Sequence, residues 1–182
     1  MNGTTAAKAL AGLRLFLGFG FLFAGLSKLF TIGANTPFTS AGFLKFGTAG
    51  SWPGVAEAAE GAPPVIVNPT HDLWLAIAGN PALVSMTDTL IIVGQIAIGI
   101  ALMVGLATRF SALMGGLMMI FLTIAAWDFG HGLVNQTSLY AAVAVFLAAT
   151  HAGKVYGLDG MLEKAAALRD HTATRRLAGA LA

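Results

Sequence analysis

The sequence predicts an all-α membrane protein. It reads as a four-transmembrane-helix antiparallel bundle with a long outer connection between helices 1 and 2 and a cytoplasmic amphipathic C-terminal helix. Three observations predict this fold class. Of the 182 residues, 57% are hydrophobic and only 10% are charged, with a mean hydropathy of +0.79. A soluble domain carries about 25% charged residues, so too few polar side chains exist here to cover a surface in water. The apolar residues also gather into four runs, over 9–30, 86–106, 109–127 and 133–152, and crossing a bilayer takes roughly 20 such residues. Finally, lysine and arginine crowd to one side of those runs. Helices are required rather than barrel strands, because lipid cannot satisfy backbone polar groups and the runs are uniformly apolar.

The first run, from about Leu10 to Phe30, is long enough to span and reads as a retained first helix rather than a cleaved signal. Within it Arg14, Gly18, Phe21, Gly25 and Lys28 recur at steps of four and three, which places them on one helical face. The glycines let another backbone approach. The two charges sit near opposite ends, about 21 Å apart at helical rise. Charge inside a bilayer costs about 2.5 kcal/mol or more at a helix centre, so each must either snorkel to headgroups or face the bundle.

The connection over 31–85 is too long for a structureless loop in a compact domain. It holds Phe38, Phe43, Phe46, Trp52 and Trp74, which is not the composition of a flexible linker. "TSAGFLKFGT" and "HDLWLAIAGNPALVSM" read as two short interfacial helices joined by an extended "EGAPPVIVNP". Such a cap is either a hydrophobic lid or a substrate gate. The second run contains Gln95 among Gly94, Ala97, Gly99, Ala101 and Gly105. A glutamine at that depth faces the interior. There it either bonds another helix or holds a bound polar headgroup such as a quinone carbonyl. The short joints "LATRFS" and "WDFGHGLVN" make the last three spans antiparallel neighbours.

The membrane domain is 1–156, and 157–182 forms the tail. In the tail Asp159 is expected to cap a helix whose apolar face is Met161, Leu162, Ala165 and Leu168, beside Lys164 and Arg169. Placing both termini in the cytoplasm puts Lys8, Arg14, Arg109, Lys154, Lys164, Arg169, Arg175 and Arg176 inside and leaves only Lys28 and Lys45 outside. That is the positive-inside distribution. It explains the basic residues without nucleic acid, for which no partner role is read.

"WDFGHGLVN" then lies at the outer face, level with Lys28. Asn135 reads as a helix cap and Trp127 as an interfacial aromatic, so a simple turn accounts for the stretch. Asp128 and His131 add a carboxylate and a base that titrates near neutral pH, which together with the Trp127 ring would serve proton-coupled quinone chemistry. No histidine pair has metal-ligand spacing, and His131 and His151 stand at opposite ends of one helix, which excludes haem between them. The chain has no cysteine, excluding disulfides, thiolate chemistry and iron–sulfur clusters. Phosphate loops, nucleotide fingerprints and nucleophile elbows are absent.

Three segments resemble the DoxX/DoxD-like membrane proteins. "LRLFLGFGFLFAGLSKLF" is similar to that family's opening span, with its Arg, glycines and Lys. "VGQIAIGIALMVGLATRFSALMGGLMMIFL" resembles its second and third spans joined at a G-L-x-T-R turn. "HAGKVYGLDG" resembles its closing G-x-x-x-G-L-D signature. The resemblance implies a four-helix protein of a bacterial or archaeal cytoplasmic membrane. Some members of the family act as the membrane subunit of a thiosulfate:quinone oxidoreductase, passing electrons to quinone and forming tetrathionate, while others are associated with redox-stress handling or have no assigned activity. One departure is Gln95, where many relatives carry Glu; a proton-moving carboxylate is thereby lost and a hydrogen-bonding side chain kept.

Two function classes follow. In the first, a quinone-linked subunit, His131, Asp128 and Lys28 are the catalytic candidates, and Gln95, Trp127, Asn135 and Arg14 the quinone-binding ones, with neither metal nor haem. In the second, the chain is a non-catalytic anchor or assembly partner for a second membrane or periplasmic redox subunit. A channel or transporter is weaker, since no inverted repeat is visible.

Overall fold

The computed structural model describes residues 3–33, 35–49, 68–126, 134–150, 152–154 and 156–166. Every regular element among them is helical. The helices are α1 (Gly3–Leu29), α2 (Ala41–Phe46), α3 (His71–Ala78), α4 (Pro81–Val104), α5 (Thr108–Ala125) and α6 (Gln136–Ala149). Short 3-10 turns follow α2 and α6, at Gly47–Ala49 and Ala152–Lys154. Helical backbone resumes over 158–166.

Three helices are long and apolar enough to cross a membrane: Thr5–Leu29, Pro81–Val104 and Thr108–Ala125. The chain is therefore a membrane protein. The predicted fourth span is shorter than expected: α6 has 14 residues, about 21 Å at helical rise, against a hydrocarbon core of about 30 Å. Its start is set by a reciprocal cap. Asn135 Oδ1 accepts from the Ser138 N–H at 2.9 Å, and Ser138 Oγ accepts from the Asn135 N–H at 2.9 Å.

The second span begins five residues before its predicted start, because "AGNPAL" is a helix junction rather than helix interior. Gly79 closes α3. Asn80 then caps α4, accepting from Ala82 N–H at 3.0 Å, with Pro81 in the first turn where a missing N–H costs nothing. The expected single short helix over "HDLWLAIAGNPALVSM" is thus divided between α3 and α4. At the other end Gly105 stops α4 with φ 71°, a left-handed conformation that suits glycine.

Close approach of backbones decides which helices pair. A Cβ on Gly99 would stand 2.5 Å from the Leu22 backbone nitrogen, and one on Gly25 would stand 3.0 Å from that of Ile96. These two glycines seat α1 directly on α4. Small residues do the same for α5 and α6, where Ala112, Ala144 and Ala148 are buried together with Leu147. The α1–α4 and α5–α6 pairs share a core of Leu17, Phe21, Ile98, Leu102 and Met119. Outward from it stand Phe16, Phe19, Phe23, Phe110 and Phe121, each more than half exposed, as lipid-facing residues should be.

The described part of the 31–85 connection forms a cap over the Lys28 end. Ser40 N–H donates to Asp88 Oδ1 at 2.6 Å, and Thr48 Oγ1 meets His71 Nδ1 at 2.8 Å. Asn68, 3% exposed, donates from Nδ2 to the carbonyls of Ile124 and Ala125 at 2.8 Å each. It thereby satisfies two orphan acceptors at the α5 C-terminus. Most of the expected extended "EGAPPVIVNP" link lies outside the described residues.

Candidate functional site

Two polar features are built into the apolar frame. The first is a knot at the Arg14 end of the helices. Arg14 is 1% exposed, so it does not snorkel. Its guanidinium donates to the carbonyl of Ala152 at 3.0 Å and to that of Tyr156 at 3.1 Å, with the Asp159 carboxylate as its electrostatic neighbour. Asp159 is not the cap of its own tail helix, as the sequence predicted. Its Oδ1 accepts from the Ala107 N–H at 2.7 Å and its Oδ2 from the Thr108 N–H at 2.9 Å, so it caps α5. The reason is local: Ala107 stands at the α5 N-cap position with no side-chain acceptor of its own. Arg109 adds a bond from Nε to the Ala148 carbonyl at 3.2 Å. Arg14 is consumed by this architecture, which gives no support to its assignment as a quinone ligand.

The second feature is a cleft of about 490 Å³ between α1, α5 and α6 with Gln95 of α4 at its back. Phe16, Phe19, Phe21 and Phe23 supply an aromatic wall, and Gln136, Thr137 and Tyr140 a polar one. Gln95 is 5% exposed, and no hydrogen-bond partner reaches its Oε1 among the described residues. The expected interhelical bond is therefore not what places it here. Leaving a buried acceptor unmet costs about 1–3 kcal/mol. Such an atom calls for an explanation, and a bound partner is one. On the rim Gln136 Nε2 donates to Tyr140 Oη at 3.3 Å, which leaves the phenol O–H to donate elsewhere. Thr137 Oγ1 contacts Asn135 Oδ1 and Thr123 Oγ1 at 2.8 Å each, so Asn135 is engaged in capping while its neighbour reaches the cleft.

The remaining candidates are distributed as follows. Lys28 is half-buried one turn beyond Gly25; its Nζ donates to the Ala24 carbonyl at 3.3 Å and lies 5.4 Å from the Phe38 ring centroid. Ala24, whose carbonyl it bonds, lines the cleft. Trp127, Asp128 and His131 lie outside the described residues. Sequence reasoning missed Thr137 and Tyr140, although Gln136, Thr137 and Tyr140 recur at helical spacing at the start of α6 and mark one polar face there. Among the described residues no group of three or more His, Asp or Glu side chains could hold a metal ion.

Fold and site together define a helical membrane protein with a lateral, aromatic-walled cleft at whose back Gln95 Oε1 has no partner among the described residues. Comparison with protein-family models, with curated proteins and with solved structures finds no match.

Proposed function

We propose that this chain is a DoxX-like, four-span membrane subunit of a redox system that takes a quinone headgroup into the Gln95 cleft. The observation that carries the reading is Gln95 Oε1, without a partner among the described residues, at the back of a cleft lined mainly by apolar side chains. An amide offers one acceptor and two donors and can exchange them by rotation. It therefore serves either a carbonyl or a hydroxyl oxygen. Tyr140 supplies a phenolic donor on the opposite wall, and the phenylalanines supply faces on which a flat ring can stack.

A quinone, when bound, accepts two electrons and two protons, and oxidation of two thiosulfates to tetrathionate releases two electrons. The residues of this chain bind and orient the ring and exclude water from it. Lys28 supplies positive charge at the cleft's end of α1. His131 and Asp128 are the proton-handling candidates, and Trp127 is the aromatic one at the same level. In this reading α6 is the fourth span, both termini face the cytoplasm of a bacterial or archaeal cell, and the tail lies on the membrane surface. The three segments that carry the DoxX resemblance support it, since Arg14, the Gly105–Arg109 turn and Asp159 meet in one knot.

Titrating a short-chain benzoquinone and a short-chain naphthoquinone into the protein in lipid nanodiscs tests the proposal. Either quinone is expected to raise the melting temperature, by an amount corresponding to about 2.7 kcal/mol at a hundredfold excess over Kd. Gln95→Leu should remove that rise. Unchanged melting with both quinones would overturn the reading. Binding without thiosulfate-dependent reduction in membranes would favour the anchor or assembly role.

A further inference from the structure

Where the helices stop sets the thickness of hydrocarbon that this chain can meet. At the Arg14 end the backbone leaves helix at Gly105, Leu106 and Ala107, between α4 and α5, and α6 ends at Ala149. Irregular backbone exposed to lipid does not occur inside the hydrocarbon layer, because its N–H and C=O groups find no partners there. Leu106 and Ala107 are exposed, so one membrane boundary lies at the knot. Arg109, exposed in the first turn of α5, carries its charge at the same level.

The opposite boundary is marked on α1, α4, α5 and α6 alike. α6 starts after Asn135, and Val134 before it is 86% exposed and not helical. α5 stops at Ala125, and the 2.8 Å contact between the Thr123 and Thr137 hydroxyls holds its end level with the start of α6. α4 carries Asp88, bonded to the Ser40 N–H of the capping segment, and α1 carries Lys28. A lysine in lipid can snorkel outward to the headgroups. Lys28 does the reverse, since its Nζ donates to the Ala24 carbonyl, one turn nearer the Arg14 end.

Between these boundaries α6 covers about 21 Å, Arg14 to Lys28 about 21 Å, Asp88 to Gly105 about 26 Å and α5 about 27 Å at helical rise. Each falls short of the roughly 30 Å core of a typical bilayer, and helix tilt shortens them further along the membrane normal. α1 runs on past Arg14 with Lys8 exposed, and α4 past Asp88 with Ser85 exposed, so neither extension is uniformly apolar.

We propose that the lipid-facing belt of this protein is built for a thin hydrocarbon layer, of the kind formed by phospholipids whose acyl chains are shorter than oleoyl. In a thicker bilayer the surrounding lipid compresses, most of all at α6. That compression brings headgroups and water down to Gln136 and Thr137, so the polar wall of the Gln95 cleft is met from the interface. The inference rests on α6 lying in the membrane and not on what the cleft binds.

The test reconstitutes the full chain in vesicles of dimyristoleoyl, dipalmitoleoyl, dioleoyl, dieicosenoyl and dierucoyl phosphatidylcholine. Tm should be highest in one of the two shortest lipids and fall by at least about 4 °C on passing to the longest. A maximum in dioleoyl or a longer lipid would overturn the proposal. A depth measurement in dioleoyl vesicles tests the boundary itself and needs no change in the core. The chain has no cysteine, so single nitroxide labels can be placed at the exposed α4 positions by Leu83→Cys, Met86→Cys, Leu90→Cys and Val93→Cys. Collision with oxygen should dominate at Leu90 and Val93, and collision with a water-soluble nickel chelate at Leu83 and Met86. Labels at Leu83 and Met86 that report hydrocarbon would restore a belt of ordinary thickness and overturn the proposal, leaving the quinone titration to stand or fall by its own melting curves.

Discussion

Asp159 and Thr108, far apart in the chain, meet through a 2.9 Å hydrogen bond from the Thr108 backbone N–H to the Asp159 carboxylate. The same carboxylate faces the buried Arg14, so one side chain serves a helix terminus and a cation at once. Replacing a capping Asp by Ala costs about 1 kcal/mol, and leaving a buried charge uncompensated costs more. Asp159→Ala is therefore expected to destabilise the protein by about 2–4 kcal/mol in denaturant titration of the micellar protein. Asp159→Asn, which keeps an acceptor but loses the charge, should fall between it and the wild type.

Ala107 carries a left-handed backbone, φ 47°, at the same knot. An L-residue with a Cβ pays about 1–2 kcal/mol there, and the hydrogen bond from its N–H to Asp159 holds it in that state. Ala107→Gly should stabilise the protein by up to about 1 kcal/mol, since glycine's larger unfolded-state entropy offsets part of the relief. A loss of stability would show that the conformation is not under strain.

Gln95 sets stability against binding. Replacing a buried, unmet amide by an apolar side chain of similar shape removes a desolvation cost. Gln95→Leu should make the free protein about 1–2 kcal/mol more stable while abolishing quinone-induced stabilisation. Both outcomes come from one pair of melting curves. A destabilised Gln95→Leu would show that the amide is already satisfied.

The α1–α4 seam is tightest at Gly99, where an added Cβ meets the Leu22 backbone. Gly99→Val is expected to cost about 1–3 kcal/mol by forcing the helices apart. Gly12 on the same helix pair has nothing within 4 Å of the equivalent position, so Gly12→Ala should be neutral or slightly stabilising. Parallel unfolding measurements on the two variants separate packing from helix propensity.

Asn68 ties the capping segment to the end of α5 through two carbonyls. Asn68→Ala leaves those carbonyls unmet and should increase hydrogen exchange over 68–78 at least tenfold, with α1 and α4 unaffected. Uniform loosening of the whole chain would instead make Asn68 a global structural residue.

Much of this architecture was legible in the sequence because apolar runs, caps and glycine spacing are local signals. The spacing of Gly18, Gly25 and Lys28 marked the packed face of α1. Asn135 announced its cap, and the aromatic residues of the 31–85 connection foretold its two short helices. Gln95 was placed in the interior because its depth in the second span leaves a polar side chain no favourable alternative. The division of α3 from α4 was missed although Gly79, Asn80 and Pro81 carry the stop, cap and first-turn signals of a helix junction.

What the sequence determined by itself, then, was the solvent of this protein, the approximate limits of its long helices and which faces carry polar groups. Each follows from composition and period along a single chain. Tertiary structure alone decided the partnerships. It gave Asp159 to α5 rather than to its own helix, spent Arg14 on two carbonyls, and left Gln95 Oε1 and Ser40 Oγ without a hydrogen-bond partner among the described residues. Those outcomes depend on where distant backbones end and how closely glycines let them meet. No local pattern encodes a hydrogen bond between residues whose proximity is set by packing.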